Sequence, residues 1–294
     1  MTIEVMDAGM HAIARQDAAV ELVQGGFQFL EGPVWDHLAG TLIFSDIPAN
    51  TLYRYDPNAG VSVFREPSNH ANGNTRDLQG RLLTCEHSGR RLSRLEPDGS
   101  LTALVTHFEG KRLNSPNDVV VRGDGAIFFT DPPYGLNTPH GVPAEQELDF
   151  LGVYRLDPDG TLSLLVDDFE RPNGLAFSPD ERILYIDDTA RGQIRAFDVG
   201  DDGRLTNDRV FATLTGEGRG RPDGMKVDRA GNIYCTGPGG VWVVNRDGLI
   251  LGRILVPEQT ANLAWGGADW RTLYLTASTS LYRVQMEIAG IPVA

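Results

Sequence analysis

The chain has 294 residues, 41% of them hydrophobic, and a formal net charge of −14 with an isoelectric point near 4.8. Nucleic-acid binding draws on clustered lysine and arginine, so a chain this acidic is not expected to bind nucleic acid. No run of about 18 apolar residues occurs, and the first twenty residues lack the apolar core of a signal peptide. The sequence therefore predicts a cytoplasmic protein without a membrane segment.

The beginning of the chain does not fit a repeating pattern. Residues 1–18 carry only weak helical or irregular signals and are predicted to be an N-terminal extension on the outside of the body. Residues 19–24 form a short, partly alternating strand that stands alone and needs a partner elsewhere.

One unit then recurs to the end of the chain, in which a polar residue beside glycine or proline opens an apolar strand and more strands follow. Six copies begin 41, 45, 56, 50 and 39 residues apart, at Glu31, Asn72, Asn117, Asn173, Asp223 and Asn262. This period is typical of propeller blades with four strands each. The last copy has three strands, and residues 19–24 can supply its fourth. We predict an all-β, six-bladed β-propeller of four antiparallel strands per blade, closed by the N-terminal strand, as one domain over residues 19–294.

Two further features follow from this arrangement. The two cysteines, Cys85 and Cys235, fall in second strands of different blades and are predicted to be buried without a disulfide. Residues 131–150 form a long link between strands two and three of the third blade, and links of this length are often functional. We expect this link to roof the channel.

The six repeat residues should converge on one mouth of the central channel, because each opens the innermost strand of its blade. We predict that links between strands two and three bring more polar groups to the same rim: Asp46, Glu86, His87, Asp131 and Asp187. Asn-Gly and Asp-Gly pairs are also common turn residues. Turn chemistry accounts for Asn72 and Asn262, which we leave outside the predicted ligand set.

The other four repeat residues form an all-oxygen set of two carboxylates and two amides: Glu31, Asn117, Asn173 and Asp223. Buried carboxylates need a positive partner. Oxygen ligands without histidine or cysteine favour Ca²⁺, Mg²⁺ or Mn²⁺ over Zn²⁺. We predict one divalent ion, with Ca²⁺ as the first choice and Mg²⁺, Mn²⁺ and Zn²⁺ left open.

Four motifs resemble those of the gluconolactonase/senescence-marker-protein lactonase family: Glu31-Gly32-Pro33-Val34-Trp35, Ser115-Pro116-Asn117-Asp118, Arg171-Pro172-Asn173-Gly174 and Arg221-Pro222-Asp223-Gly224. The resemblance implies a six-bladed propeller with a divalent metal in its channel and hydrolysis of sugar-acid lactones. It places the metal-binding residues at Glu31, Asn173 and Asp223, and a further polar residue that touches metal or substrate at Asn117. Some lactonases of the family have arginine two residues before this asparagine, whereas this chain has Ser115.

The resulting hypothesis is hydrolysis of a sugar lactone, a small-molecule partner, by a metal-activated water that Asp223 orients or deprotonates. We expect substrate hydroxyls to be held by Asn117, Asn114, His87 and Tyr134. Two alternatives stay open, a phosphotriesterase of the diisopropyl-fluorophosphatase type and a non-catalytic propeller that binds another protein. Both a monomer and a homodimer are compatible with the sequence.

Overall fold

Six antiparallel sheets form a ring in which the first strand of each sheet contacts the first strands of both neighbours. This is seen in a computed structural model that describes residues 2–293. The predicted six-bladed propeller is confirmed. Within residues 2–293, no helix has the length and apolarity needed to cross a bilayer.

The first half of the chain contains three N-terminal elements and three blades. The N-terminal elements are β1 (Ile3–Val5), α1 (Met10–Ile13) and β2 (Glu21–Gly25). Blade one is β3 (Leu30–Asp36), β4 (Thr41–Asp46), β5 (Thr51–Asp56) and β6 (Gly60–Arg65). Blade two is β7 (Ala71–Arg76), β8 (Leu82–Glu86), β9 (Arg91–Leu95) and β10 (Leu101–Val105). After a small hairpin, β11 (His107–Phe108) and β12 (Lys111–Arg112), blade three is β13 (Val119–Val121), β14 (Ile127–Asp131), β15 (Gly152–Leu156) and β16 (Leu162–Val166).

The second half of the chain supplies blades four to six. Blade four is β17 (Pro172–Phe177), β18 (Ile183–Asp188), β19 (Gln193–Val199) and β20 (Leu205–Thr213). Blade five is β21 (Met225–Val227), β22 (Ile233–Gly237), β23 (Gly240–Val244) and β24 (Ile250–Leu255). Blade six has β25 (Thr260–Gly266), β26 (Thr272–Ala277) and β27 (Ser280–Gln285) from the end of the chain.

Strand β2 completes blade six, as the sequence predicts. It pairs antiparallel with β27, with Leu22 opposite Tyr282. The blade therefore combines a strand from near the start of the chain with three from near its end. This pairing joins the two ends of the ring by backbone hydrogen bonds and covers an edge that β27 would otherwise expose.

The N-terminal extension is more ordered than its sequence signals indicate. Strand β1 adds a fifth strand to blade five, with Ile3 opposite Ile254 on β24. Met10 and Ile13 of α1 are buried in the apolar layer between blades five and six. The expectation of weak helix or irregular chain thus misses an edge strand, because three residues are too few to show alternation.

The core is divided among the six gaps between neighbouring blades, each filled by an apolar layer. In β4, Leu42 and Phe44 face blade six while the intervening Ile43 faces blade two. Since a strand such as β4 is covered by neighbouring blades on both of its faces, its sequence is almost continuously apolar. Both cysteines lie unpaired and buried in these layers, as predicted.

The central channel has a cavity at each end. One, of about 360 Å³, lies where the innermost strands begin and contains the polar repeat residues. The other, of about 290 Å³, lies where these strands end and is largely apolar, with Trp35, Trp265 and the chain end near Pro292 in its wall. The polar repeat residues therefore lie at the first of the two cavities.

Candidate active site

The structure brings the four predicted ligand residues together in the polar cavity, lined among others by Glu31, Asn117, Asn173 and Asp223. The side chains of Asn72, His87 and Tyr134 also line it. Their convergence follows from the ring, since each repeat residue opens the innermost strand of its blade. Glu31 is 3% exposed, whereas Asp223 is half-buried. Asp223 is therefore the carboxylate more open to a ligand.

Glycines beside the repeat residues allow the innermost strands to approach one another. The backbone N–H of Gly174 donates to the carbonyl of Asp223 at 2.6 Å, and that of Gly73 donates to the carbonyl of Asn117 at 2.8 Å. A Cβ on Gly174 would lie 2.2 Å from that carbonyl oxygen, and neither glycine has a positive φ. The Asn72-Gly73 and Asn173-Gly174 pairs are thus not turns; glycine is required at these positions because two blades touch there.

This hydrogen-bond pattern corrects the repeat register in blade six. The N–H of Gly224 donates to the carbonyl of Ala261 at 2.8 Å, so Ala261 rather than Asn262 occupies the repeat position. Asn262 stands at the glycine position, as Asp118 does in blade three. Its amide donates to Glu31 Oε2 at 3.0 Å and to Asp118 Oδ2 at 3.4 Å. Asn262 and Asp118 thereby connect opposite blades across the channel beneath the cavity.

Four carboxyl groups lie in this part of the channel: Glu31, Asp118, Asp187 and Asp223. Burial raises the pKa of Glu31, while hydrogen bonds from the Gly32 N–H and Asn262 act to lower it. Burial and then the charge of Glu31 hold the pKa of Asp223 well above its usual range. Lys226 lies below these acids, and its positive charge opposes the rise in the pKa of Asp118 that burial causes. The carboxyl groups of the cluster outnumber the positive charge that Lys226 provides, and this imbalance favours binding of a cation.

A chain of amide hydrogen bonds fixes the asparagines of the cavity. Asn72 Nδ2 donates to Asn117 Oδ1 at 2.6 Å, Asn117 Nδ2 donates to Asn173 Oδ1, and Asn173 Nδ2 donates to Thr189 Oγ1 at 3.0 Å. Because each amide nitrogen has an acceptor, the orientation of every amide group is determined by its neighbours. We call this series, from Asn72 to Thr189, the amide relay.

His87 stands at the start of the amide relay. Its Nδ1 lies 2.9 Å from the carbonyl of His140 and its Nε2 lies 3.2 Å from Asn72 Nδ2. Since a carbonyl only accepts, Nδ1 carries the proton and Nε2 accepts from Asn72. Burial lowers the pKa of His87 to about 4, so the ring is neutral near pH 7. Both ring nitrogens are engaged within the protein, which favours a positioning role over the predicted contact with substrate hydroxyls.

The cavity residues fit a hard divalent cation by their chemistry. Among residues 2–293, no group of three or more His, Cys, Asp or Glu side chains is arranged to hold a metal. A cation here would therefore combine the carboxylates of Glu31 and Asp223 with amide oxygens of Asn117 and Asn173. Such mixed oxygen sets suit Ca²⁺ and Mg²⁺.

Comparison with known proteins agrees with the fold. The family model described as the SMP-30/Gluconolactonase/LRE-like region matches residues 29–279. The chain belongs to this family. It is 35% identical to a gluconolactonase of Zymomonas mobilis over 96% of this chain and 85% of the relative, and 30% identical to a pentonolactonase of Haloferax volcanii over 84% and 81%. The solved structure of a gluconolactonase from Xanthomonas campestris superposes with a TM-score of 0.91 at 38% identity, covering 97% of this chain and 95% of that one.

In this SMP-30/gluconolactonase family member, residues 131–150 do cover the cavity. The link contains a 3₁₀ helix (Tyr134–Leu136), and both Tyr134 and His140 lie in the cavity wall. The guanidinium of Arg171 lies 5.6 Å from the centre of the Tyr134 ring. Burial raises the pKa of Tyr134 to about 12, so its hydroxyl stays protonated and can donate to a ligand.

Asn114 and Ser115 hold this covering link in place. Asn114 Nδ2 donates to the carbonyls of Asp131 and Phe150, both at 3.1 Å, and thereby ties the two ends of the link together. Ser115 Oγ donates to the carbonyl of Pro132 at 2.5 Å and accepts from the Gly135 N–H at 2.9 Å. Asn114 does not line the cavity. Its amide nitrogen is used to hold the link, and the contact of Asn114 with substrate stays a prediction.

The predicted rim acids are also mostly structural. Asp46 accepts the Gln28 and Phe29 N–H groups at 2.9 and 3.1 Å, and Glu86 pairs with Arg91 at 2.6 Å. Asp188 repeats the role of Asp46 in blade four, while Asp187, one residue earlier, is one of the channel carboxyls. Strand alternation separates the two roles, because neighbouring residues point to opposite faces.

Asp131 gives a testable pH dependence outside the ligand set. Its carboxyl is fully buried and accepts the Asn114 N–H at 2.7 Å, and burial raises its pKa from 3.8 to about 7. A raised pKa in the folded state means that the stabilising effect of protonation is complete below about pH 4 and is lost as pH rises through 7. Relative to Asp131→Asn, the free energy of unfolding of the wild type should fall by up to about 1.4 kcal/mol per pH unit across this range.

Urea unfolding of both proteins at pH 5, 6, 7 and 8 measures this difference. Other titrating groups are common to the two proteins and cancel in the comparison. Asparagine retains an oxygen that can accept the Asn114 N–H, so the substitution is nearly isosteric. Parallel stability profiles would show that Asp131 is not the titrating group.

Proposed function

We propose that this protein hydrolyses a sugar lactone to the aldonic acid, as the names of its relatives indicate for those proteins. The observation that carries the proposal is the convergence of Glu31 and Asp223 with two oriented asparagines in one cavity. The volume of about 360 Å³ suits a single sugar ring. Two buried unpaired cysteines fit a reducing compartment, so we keep the cytoplasm as the proposed location.

One divalent cation, Ca²⁺ by preference, would be held by Glu31, Asn117, Asn173 and Asp223. A bound cation of this kind polarises a carbonyl group and lowers the pKa of a nearby water. Mg²⁺, Mn²⁺ and Zn²⁺ are the competing ions. The asparagine amide groups are already oriented by the amide relay, so few side-chain rotations are lost when an ion binds.

Asp223 is the proposed general base. Its carboxylate is half-buried and faces the cavity, where it can orient a water and take its proton as the oxygen adds to the lactone carbonyl. The carbon–oxygen bond of the ring then breaks, and the same proton passes to the ring oxygen, which becomes a hydroxyl. The product is a carboxylic acid that ionises in water, so the reaction needs only water and the lactone.

Tyr134 and Asn117 are the proposed contacts for substrate hydroxyls. Tyr134 belongs to the covering link and keeps its proton, so it can donate while the cavity is shielded from water. Arg221 lies at the mouth of the same cavity and is exposed, which places a positive charge on the path of the acid product.

The test is hydrolysis of δ-gluconolactone, followed as acid release against a control without enzyme. We expect activity to be lost after EDTA treatment and to return with Ca²⁺, Mg²⁺, Mn²⁺ or Zn²⁺, whose order of effect ranks the ions. Full activity in metal-free protein would contradict the ion-dependent step. Activity on paraoxon-like esters but on no lactone would instead support a phosphotriesterase, and activity on neither would favour a binding module.

A further inference from the structure

Asn72 was assigned to turn chemistry in the sequence, yet its side chain lies in the wall of the cavity and is 4% exposed. Its backbone carbonyl accepts two hydrogen bonds from side chains of the channel. The carbonyl of Asn72 accepts from Ser45 Oγ at 2.6 Å and from Asn74 Nδ2 at 2.9 Å. A residue used only to turn the chain does not need this support inside a channel.

The orientation of the Asn72 amide is determined by two acceptors. Its Nδ2 lies 2.6 Å from Asn117 Oδ1 and 3.2 Å from His87 Nε2, the unprotonated nitrogen of that ring. Rotating the amide by 180° would place Asn72 Oδ1 against the lone pairs of both acceptors. The oxygen must therefore occupy the other position.

In that position Asn72 Oδ1 has no donor within the described part of the chain, although it is buried. Leaving a buried acceptor without a partner is unfavourable, so a hydrogen-bond donor supplied by a bound ligand would be stabilising here. The immediate side-chain neighbours of the amide, His87 and Asn117, are uncharged when His87 is neutral. A neutral donor suits this position better than a cation, which the carboxylates of Glu31 and Asp223 attract more strongly.

We propose that Asn72 Oδ1 accepts a hydrogen bond from a ring hydroxyl of the substrate and so makes the site selective for hydroxylated lactones. This inference rests on the proposed lactonase function and assigns a specificity-determining residue to the same cavity. His87 acts in it as a positioning residue, because its Nε2 holds the Asn72 amide in the required orientation.

The test compares two lactones with the same ring size, δ-gluconolactone, which carries hydroxyls, and δ-valerolactone, which carries none. The quantity measured is the ratio of kcat/KM for the first to that for the second. The wild type should favour δ-gluconolactone. Asn72→Ala and Asn72→Ser should each lower the ratio about 5- to 30-fold, which corresponds to one or two kcal/mol of lost hydrogen bonding at about 1.4 kcal/mol per tenfold. Two variants are used so that poor folding of one does not decide the result.

A matched control distinguishes hydroxyl binding from damage to the amide relay. Thr189→Val removes the acceptor at the far end of the relay with little change of shape, and it should lower kcat/KM for both lactones by a common factor. Equal losses on both substrates in the Asn72 variants would overturn the inference, since Asn72 would then act only through Asn117. A wild-type ratio near one would overturn it as well. Wild-type protein inactive on both lactones would overturn the proposed function, and with it this inference, before any variant is made.

Discussion

We expect Asp223→Asn to lower kcat for lactone hydrolysis about 10³-fold while leaving the fold intact. The substitution keeps the shape of the side chain but removes a base and a negative ligand, and loss of a positioned base alone typically costs about 10²–10⁴-fold. In EDTA the same variant should unfold at a higher temperature than the wild type, because one of several like charges that repel one another in the channel is gone. Addition of Ca²⁺ should raise the unfolding temperature of the wild type and have much less effect on the variant.

Asp118→Asn is the matched control for this result. Asp118 belongs to the same buried acid cluster but does not line the cavity. The Asp118→Asn substitution should give a similar gain in stability in EDTA with a far smaller loss of kcat. If Asp223→Asn retained more than a tenth of wild-type activity, Asp223 would not be the base.

We expect Gly174→Ala to lower the free energy of unfolding by about 3 kcal/mol or more. A Cβ at this position would lie 2.2 Å from the carbonyl oxygen of Asp223 and 2.7 Å from Asp187 Oδ2. The first of these atoms is backbone, so blades four and five must separate to make room. Activity should fall as well, since Asn173 and Asp223 sit on the two sides of this contact. Urea unfolding, with activity measured on the folded fraction, tests both effects.

Gly123→Ala provides the comparison. This glycine also lacks a positive φ, but its added Cβ would meet only the flexible carboxylate of Glu181, at 3.1 Å. We expect a change within about 1 kcal/mol. Equal destabilisation by the two substitutions would mean that crowding between the blades is not what demands glycine at residue 174.

The spacing of the repeats was enough to predict the number of blades, the closing strand and the cavity that gathers Glu31, Asn117, Asn173 and Asp223. It was not enough to assign the register of blade six. The repeat position there is occupied by Ala261, whose side chain has no polar group to mark it. The next residue is an asparagine, and Asn262 therefore looked like the repeat residue.

Other differences arise from contacts between residues far apart in sequence. Asn114 was predicted to bind substrate because of its amide group. Its amide nitrogen instead donates to the two ends of the covering link. Asn72 was set aside because it precedes glycine, and its relation to His87 and Asn117 appears only when blades two and three are assembled. Asp118 offered the clearest missed signal, since it replaces the glycine that follows the repeat residue in four of the other copies.

Blade six combines β2 with three strands from much later in the sequence, so it is the last blade that can form as the chain is synthesised. Strand β2 leaves the ribosome early but has to wait for β27, some 260 residues later, before it can pair. Until then the nascent blades form an open arc, and Glu31 at one end lacks its hydrogen bond from Asn262 at the other. Contacts this distant in sequence form slowly. The acid cluster is therefore completed only when blade six closes the ring, so until then folded blades stand without a complete channel, and an ion that needs the full site cannot bind.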